Sequence, residues 1–110
     1  MVDYVAPENE REEQIGKIWR RFLGFDQVGV HDNFIELGGT SLLATEVCTE
    51  LRKAFRVDLP LKSFLTAGTI RVLAEEIQRL ETERDLAAEQ ELLAAIENMQ
   101  TEEVLELLKD

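Results

Sequence analysis

The sequence contains very few of the residues that build disulfides, thiolate metal centres and acid–base active sites. Cys48 is the single cysteine and His31 the single histidine among the 110 residues. One cysteine cannot form an internal disulfide and cannot by itself supply a thiolate metal site. We interpret Cys48 as a small buried hydrophobe, and the absence of disulfides is typical of a reducing compartment.

Long apolar runs are also missing, and aromatic residues are scarce. No stretch approaches the roughly 20 apolar residues that a membrane-spanning helix requires, and no signal-peptide pattern opens the chain. We therefore expect a soluble, cytoplasmic protein. Aromatic residues make up only 6% of the sequence and β-branched residues are scattered, which favours helices over a sheet.

Basic residues are few compared with acidic ones. The chain has 12 lysines and arginines against 23 acidic side chains, a formal net charge of −11. This excess argues against nucleic acid or an anionic membrane as the main partner. Residues 81–110 carry 10 acidic and 2 basic side chains, whereas residues 1–80 carry 13 and 10. The distribution predicts a nearly balanced domain followed by an acidic tail.

Helical periodicity is the main pattern that the sequence does contain. Apolar residues recur at helical spacing before Gly24, which predicts a first core helix that ends there. Similar patterns predict helices over residues 41–55 and from Thr69 to Leu80, with one helical turn at residues 62–65. The predicted fold class is all-α, a small helical bundle with a long first loop and a C-terminal helical tail.

The pattern also predicts a core and a division of the chain. We expect a flexible lead-in over residues 1–7, a folded domain over residues 8–80 and an acidic helical linker or docking segment over residues 81–110. The predicted core is formed by apolar residues of all the helices and of the long loop: Ile15, Ile18, Trp19, Phe22, Phe34, Leu37, Val47, Leu51, Phe64, Ile70, Leu73 and Ile77.

The stretch Gly38-Gly39-Thr40-Ser41 lies directly before the second helical pattern. A Gly-Gly step permits backbone angles that other residues avoid, and Thr or Ser before a periodic apolar run marks a helix start. We therefore predict that the Ser41 hydroxyl is exposed at a loop-to-helix corner. The free N–H groups of the helix N-terminus would attract an anion there.

Three interpretations of Ser41 compete. In the first, Ser41 only caps its helix. In the second, Ser41 is a hydrolase nucleophile, but Leu43 stands where the Gly-x-Ser-x-Gly pattern needs its second glycine, no strand precedes the serine, and His31 is the sole candidate base. A phosphate-binding P-loop fails as well, because no Gly-Lys-Ser/Thr sequence is present. The third interpretation rests on a resemblance.

Residues 28–42, with the sequence VGVHDNFIELGGTSL, closely resemble the thiolation (peptidyl carrier) domains of nonribosomal peptide synthetases. They are also similar to carriers of hybrid polyketide–peptide synthases, within the acyl-carrier-like superfamily. The resemblance covers about residues 4–80. It begins at a Tyr-Val-Ala-Pro lead-in at residues 4–7 that looks like the exit from an upstream adenylation domain, which favours a piece cut from a larger synthetase.

The resemblance implies a four-helix bundle in which Ser41 accepts 4′-phosphopantetheine, while Gly38, Gly39 and Thr40 form the attachment loop. A phosphopantetheinyl transferase would install the group from coenzyme A with magnesium. The thiol of the arm would then carry aminoacyl, peptidyl or ketide intermediates as thioesters. The carrier would need no catalytic residue or metal of its own.

The resemblance also implies partner enzymes. These are an upstream adenylation or acyl-loading enzyme and a downstream condensation, ketosynthase or tailoring domain. Leu42 and Leu43 follow Ser41 near the surface, and two roles remain open for each, packing on the bundle or contact with such partners. The rival function is a non-catalytic adaptor with an acidic docking tail, in which Ser41 is only a cap.

The acidic tail has three interpretations. It is a solvated linker, a helix that forms a homodimer, or a docking segment similar to those that join one synthetase polypeptide to the next. In the docking interpretation its apolar residues meet a basic partner surface or a partner helix. These residues are Leu92, Ile96, Met99, Val104, Leu107 and Leu108.

Overall fold

The computed structural model describes residues 3–97, 106 and 108. Over these residues the protein is a four-helix bundle, which confirms the predicted all-α class. The helices are α1 (Glu10–Leu23), α2 (Ser41–Phe55), α3 (Leu61–Ala67) and α4 (Ile70–Glu97). The described part of the chain has no β-strand, only an isolated antiparallel bridge between Asn33 and Thr69.

The helix ends follow local capping chemistry. At the start of α1, the side chain of Asn9 accepts a hydrogen bond from the Glu12 N–H, and Gly24 ends the helix with a φ of 78°. Such left-handed geometry is accessible to glycine at little cost. Thr69 precedes α4 as predicted, and its hydroxyl accepts from the Val72 N–H at 3.3 Å.

The centre of the core is a cluster of three aromatic rings. Trp19 of α1, Phe34 of the first loop and Phe64 of α3 are fully buried. The ring centroid of Phe34 lies 5.1 Å from those of both Trp19 and Phe64, each pair edge to face. This is the arrangement that aromatic quadrupoles favour. The cluster joins α1, the first loop and α3 into one core.

Most of the predicted core residues are buried, but three of them, Ile18, Phe22 and Leu37, are only half-buried and pack against its edge. Cys48 is buried, as predicted. Leu65, which the sequence pattern placed inward, is 44% exposed. The prediction is wrong there because a single helical turn gives too little periodicity to fix the buried face.

The first loop (residues 24–40, loop 1) folds down onto the bundle. Val28, Val30 and Phe34 are buried, and the Val30 N–H donates to the Val5 carbonyl at 2.9 Å. Residues 3–7, predicted as a flexible lead-in, therefore lie beside loop 1 in the structure. The division of the chain at residues 7 and 80 stays a prediction.

The fourth helix continues without a break past the end of the predicted domain. It runs for 28 residues from Ile70 to Glu97, although its buried residues end at Ile77. Residues 81–97 are termed the α4 extension. No helix within the described residues is long and apolar enough to cross a membrane.

Candidate functional site: the Ser41 corner

The candidate site is the corner where loop 1 meets α2, formed by Gly38, Gly39, Thr40 and Ser41. Thr40 is the N-cap, because its side chain accepts from the Leu43 N–H at 3.2 Å and its carbonyl accepts from the Ala44 N–H at 2.8 Å. Ser41 is the first helical residue. The interpretation of Ser41 as the cap is therefore wrong, and its exposed side chain is left available for another role.

Each glycine of the Ser41 corner has its own structural reason. Gly38 has a φ of 97°, a region that residues with a side chain rarely adopt. Gly39 has room for no side chain, because a Cβ atom there would overlap the Phe34 ring and lie 2.7 Å from the Phe34 carbonyl oxygen. Its N–H donates to that same oxygen at 3.0 Å. The pair therefore brings the chain across the face of Phe34 and into α2.

Phe34 connects the Ser41 corner to the rest of the protein. Its ring belongs to the central aromatic cluster, and its N–H donates to the Gly68 carbonyl at 2.8 Å, at the turn between α3 and α4. The neighbouring Asn33 side chain accepts from the N–H groups of Ile35 and Glu36. The Ser41 corner is exposed, but it rests on a rigid part of the core.

The electrostatics at the Ser41 corner favour an anion. The N–H groups of Ser41 and Leu42 are at the first two helical positions, where no carbonyl lies one turn earlier in the helix. No acidic residue lies in the first turn of α2, so the positive end of the helix dipole is not offset locally. An exposed hydroxyl in this setting fits a phosphodiester, whose negative charge is stabilised there.

Of the predicted partner-contact residues, those near Ser41 differ in exposure. Leu42 is 70% exposed, whereas Leu43 is half-buried and packs against the core. Three exposed apolar residues had not been singled out as contacts, Ile35 in loop 1, Leu65 in α3 and Val72 in α4. The signal for Ile35 was its position between a core residue and an acidic one in loop 1.

The predicted contact residues of the tail lie far along the chain from the Ser41 corner. Leu92 is 58% exposed and Leu108 is 75% exposed, while Ile96 is half-buried. Met99, Val104 and Leu107 lie outside the described residues. Leu86 and Leu93, each 52% exposed, add to the apolar surface of the α4 extension.

Comparison with known proteins places these features in one family. The sequence profile described as phosphopantetheine attachment site matches residues 13–77. A linear gramicidin synthase of Brevibacillus parabrevis is 51% identical over 77 residues, which are 70% of this chain. The chain spans only 2% of the length of that relative.

Solved structures agree with the sequence comparison. A peptidyl carrier protein, in the structure of the phosphopantetheine transferase Sfp with coenzyme A, is 38% identical with a TM-score of 0.67, covering 69% of this chain and 99% of that chain. A non-covalent extended docking domain complex of the Pax NRPS is 32% identical with a TM-score of 0.73, covering 91% and 94%. The chain therefore belongs to the phosphopantetheine attachment site family, as a carrier of 4′-phosphopantetheine without catalytic activity of its own.

Proposed function

We propose that Ser41 is the residue that carries 4′-phosphopantetheine. The observation that carries the proposal is the position of Ser41, exposed at the first turn of α2 while Thr40 performs the capping. The non-catalytic character of the family removes the hydrolase interpretation. The thiol of the bound arm would supply the reactive group, holding aminoacyl, peptidyl or ketide intermediates as thioesters in a natural-product assembly line.

The attachment reaction asks little of the chain itself. The Ser41 oxygen forms a bond to the phosphorus of the coenzyme A diphosphate nearest the pantetheine. The bond from that phosphorus to the bridging oxygen breaks, and the adenosine bisphosphate portion leaves with the electron pair. A phosphopantetheinyl transferase with magnesium would take up the hydroxyl proton. The Ser41 corner contributes an accessible oxygen and the N–H groups that stabilise the phosphodiester.

The intact mass of the protein tests this assignment. The chain is incubated with coenzyme A, magnesium and a broad-specificity phosphopantetheinyl transferase. We expect the wild type to gain one phosphopantetheinyl group and Ser41→Ala to gain none. Ser63→Ala is the matched control, because Ser63 is the only other serine of the chain, and it should be modified like the wild type. An adduct that survives Ser41→Ala would contradict the assignment.

The partners would meet two different surfaces. An upstream adenylation or acyl-loading enzyme and a downstream condensation, ketosynthase or tailoring domain must each reach the arm on Ser41. Leu42 and Leu43 are the proposed contacts beside it, and the exposure of Leu42 makes it the stronger contributor. Coenzyme A and the assembly line are expected in the reducing cytoplasm, where a chain with a single, buried cysteine is at home.

We propose further that residues 81–110 are a docking segment for the next protein of the assembly line. The similarity to the docking domain complex of the Pax NRPS covers 91% of this chain, more than the 69% covered by the peptidyl carrier protein bound to Sfp, and so reaches into the tail. The exposed apolar side chains of Leu86, Leu92 and Leu93 in an acidic segment suit a partner with basic and apolar groups.

Removal of residues 86–110 tests the docking role. The shortened chain should still gain the phosphopantetheinyl group, and it should transfer its thioester to the next protein more slowly than the full chain. Unchanged transfer would support the linker interpretation instead. Light scattering of the full chain addresses the third interpretation, because a dimer that disappears with residues 86–110 would identify a homodimer helix. A chain that cannot be modified on Ser41 but still binds its partner would favour the adaptor.

A further inference from the structure

The α4 extension makes specific contacts with the far end of α2. The Nη1 atom of Arg84 donates to the backbone carbonyls of Phe55 and Arg56, each at 2.8 Å. These carbonyls lie at the C-terminal end of α2, where the last four C=O groups have no intrahelical partner and the helix dipole is negative. A guanidinium group from another helix therefore caps α2.

The backbone at this end of α2 is shaped to expose its carbonyls. Arg56 has a φ of 54°, and it is the one non-glycine residue with a positive φ in the described part of the chain. The chain turns away there, and the guanidinium of Arg84 approaches both carbonyl oxygens with a single nitrogen. Asp85 accepts from the Nε atom of Arg84 at 3.1 Å, which helps to orient the guanidinium plane.

A second contact lies one turn earlier in α4. Glu81 accepts from the Nε atom of Arg11 in α1 at 2.9 Å, and both side chains are mostly buried, with 24% and 30% of their surfaces exposed. Glu81 and Arg84 are three positions apart and so share one face of α4. The α4 extension is thus fixed to two different helices after the buried apolar contacts of α4 have ended at Ile77.

We propose that Arg84 is a positioning residue that fixes the direction of the α4 extension relative to Ser41. Ser41 is the first residue of α2 and Arg84 contacts the last, so the two sites lie at opposite ends of this helix, about 22 Å apart at about 1.5 Å per residue. The extension beyond Arg84 then points away from the bundle as a continuous helix. The functional meaning of this geometry rests on the docking role proposed above.

This arrangement separates docking from delivery. A partner bound to Leu86, Leu92 and Leu93 holds the protein at the end remote from Ser41 and leaves the Ser41 corner open. The anchored extension also restricts the positions that the attached arm can reach from a docked partner. Restriction of this kind raises the effective concentration of the thioester at one site, as a short stiff connection does.

Distance measurements on the full chain test the proposal without any partner. Nitroxide labels are placed at Glu46→Cys on the exposed side of α2 and at Glu91→Cys in the α4 extension, in a Cys48→Ala background, and pulsed electron spin resonance gives the distribution of distances. We expect one narrow distribution for the parent chain and a loss of that narrow distribution in Arg84→Gln. Arg84→Lys should restore part of it, because the cation near the carbonyls returns.

Arg79→Gln is the matched control. Arg79 lies on the same helix and contacts only Glu76 and Glu83 of α4 among the described residues, so its loss removes the same charge and no contact between helices. It should leave the narrow distribution in place. A parent distribution that is already broad would overturn the proposal, and so would one unaffected by Arg84→Gln or broadened equally by both variants.

This result and the carrier assignment can fail separately. The distance distribution depends on neither coenzyme A nor a partner, and the intact mass after transferase treatment does not depend on Arg84. Loss of Ser41 modification with the distances as expected would reject the carrier assignment alone. Normal modification of every variant with unchanged distances would reject the role of Arg84 alone.

Discussion

At the residue scale, the Ser41 corner depends on the absence of two side chains. We predict that Gly39→Ala destabilises the fold by about 1–3 kcal/mol, because the added Cβ overlaps the buried Phe34 ring and forces the loop or the ring to move. Thermal unfolding followed by circular dichroism measures the effect. For a domain of this size, about 1 kcal/mol corresponds to a change of about 4–8 °C in Tm.

The control for Gly39→Ala is a glycine that has room for a methyl group. A Cβ on Gly16, in the middle of α1, would lie 3.6 Å from the Ile70 side chain, an ordinary contact. Since alanine is favoured over glycine inside a helix by about 0.8–1 kcal/mol, Gly16→Ala should be neutral or stabilising. A Gly39→Ala protein as stable as Gly16→Ala would show that the Phe34 contact does not constrain the Ser41 corner.

The second prediction at this scale concerns Glu12, the buried acidic residue of the core edge. Burial raises the pKa of its carboxyl group, but the backbone N–H of Glu8 and the guanidinium of Arg71 outweigh this, with His31 adding to them, so the pKa lies below its ordinary value of 4.5. A lowered pKa in the folded state stabilises the fold above about pH 4.5, and this stabilisation is lost as the pH falls further.

We therefore expect Glu12→Gln to lower the free energy of unfolding by about 1–3 kcal/mol at about pH 7. The difference from the wild type should shrink as the pH falls below about 4.5, because the wild-type carboxyl group is then becoming neutral as well. Urea unfolding at a series of pH values measures both stabilities. Glu13→Gln, an exposed change in the same helical turn, serves as the control, and a gap that widens in acid would contradict the assignment.

At the element scale, α2 begins at a cap that the sequence alone left ambiguous. Two hydroxyl residues, Thr40 and Ser41, stand next to each other, and either could have capped the helix. The structure assigns the cap to Thr40. We predict that Thr40→Ala costs about 1 kcal/mol of stability while Ser41→Ala costs less, since the Ser41 side chain is not the cap. Thermal unfolding of both variants measures this difference.

Thr45→Ala is the control for the cap. Thr45 lies inside α2, where its hydroxyl donates to the Ser41 carbonyl, and alanine has the higher helix propensity. Its replacement should therefore not destabilise the protein. Equal losses for Thr40→Ala and Thr45→Ala would mean that helix composition, and not the cap, determines the result.

The helices were predictable wherever apolar periodicity was supported by a local end signal. Gly24 and Thr69 mark the ends that the sequence indicates, and the structure uses both. The continuity of α4 was not predictable in the same way. The charged residues 81–85 are equally typical of a linker and of an exposed helix, and the deciding contacts, Arg11 with Glu81 and Arg84 with the end of α2, join residues far apart in sequence.

The same reasoning separates what was predictable in the candidate site. The exposure of Ser41 follows from local signals, because two glycines and a helix start are read directly from the sequence. The overlap between Gly39 and Phe34 depends on how loop 1 folds over the core, and no periodicity describes a loop. Local chemistry therefore identifies the residue, and tertiary packing determines how rigidly it is held.

At the scale of the whole molecule, the question is where the folded unit ends. The last buried residue of α4 is Ile77, yet Glu81 and Arg84 contact α1 and α2. We predict that a chain ending at residue 85 is as stable as the full chain, while one ending at residue 80 is less stable by about 1–2 kcal/mol, the sum expected for one partly buried ion pair and one helix-end cation.

Thermal unfolding of the full chain and the two truncated chains measures this boundary. The matched control is the chain ending at residue 85 that also carries Glu81→Gln and Arg84→Gln, because it keeps the length but loses both contacts. Its Tm should fall to that of the chain ending at residue 80. If all the chains unfold together, the contacts of the α4 extension contribute nothing to the bundle, and the unit that presents Ser41 ends with the apolar core.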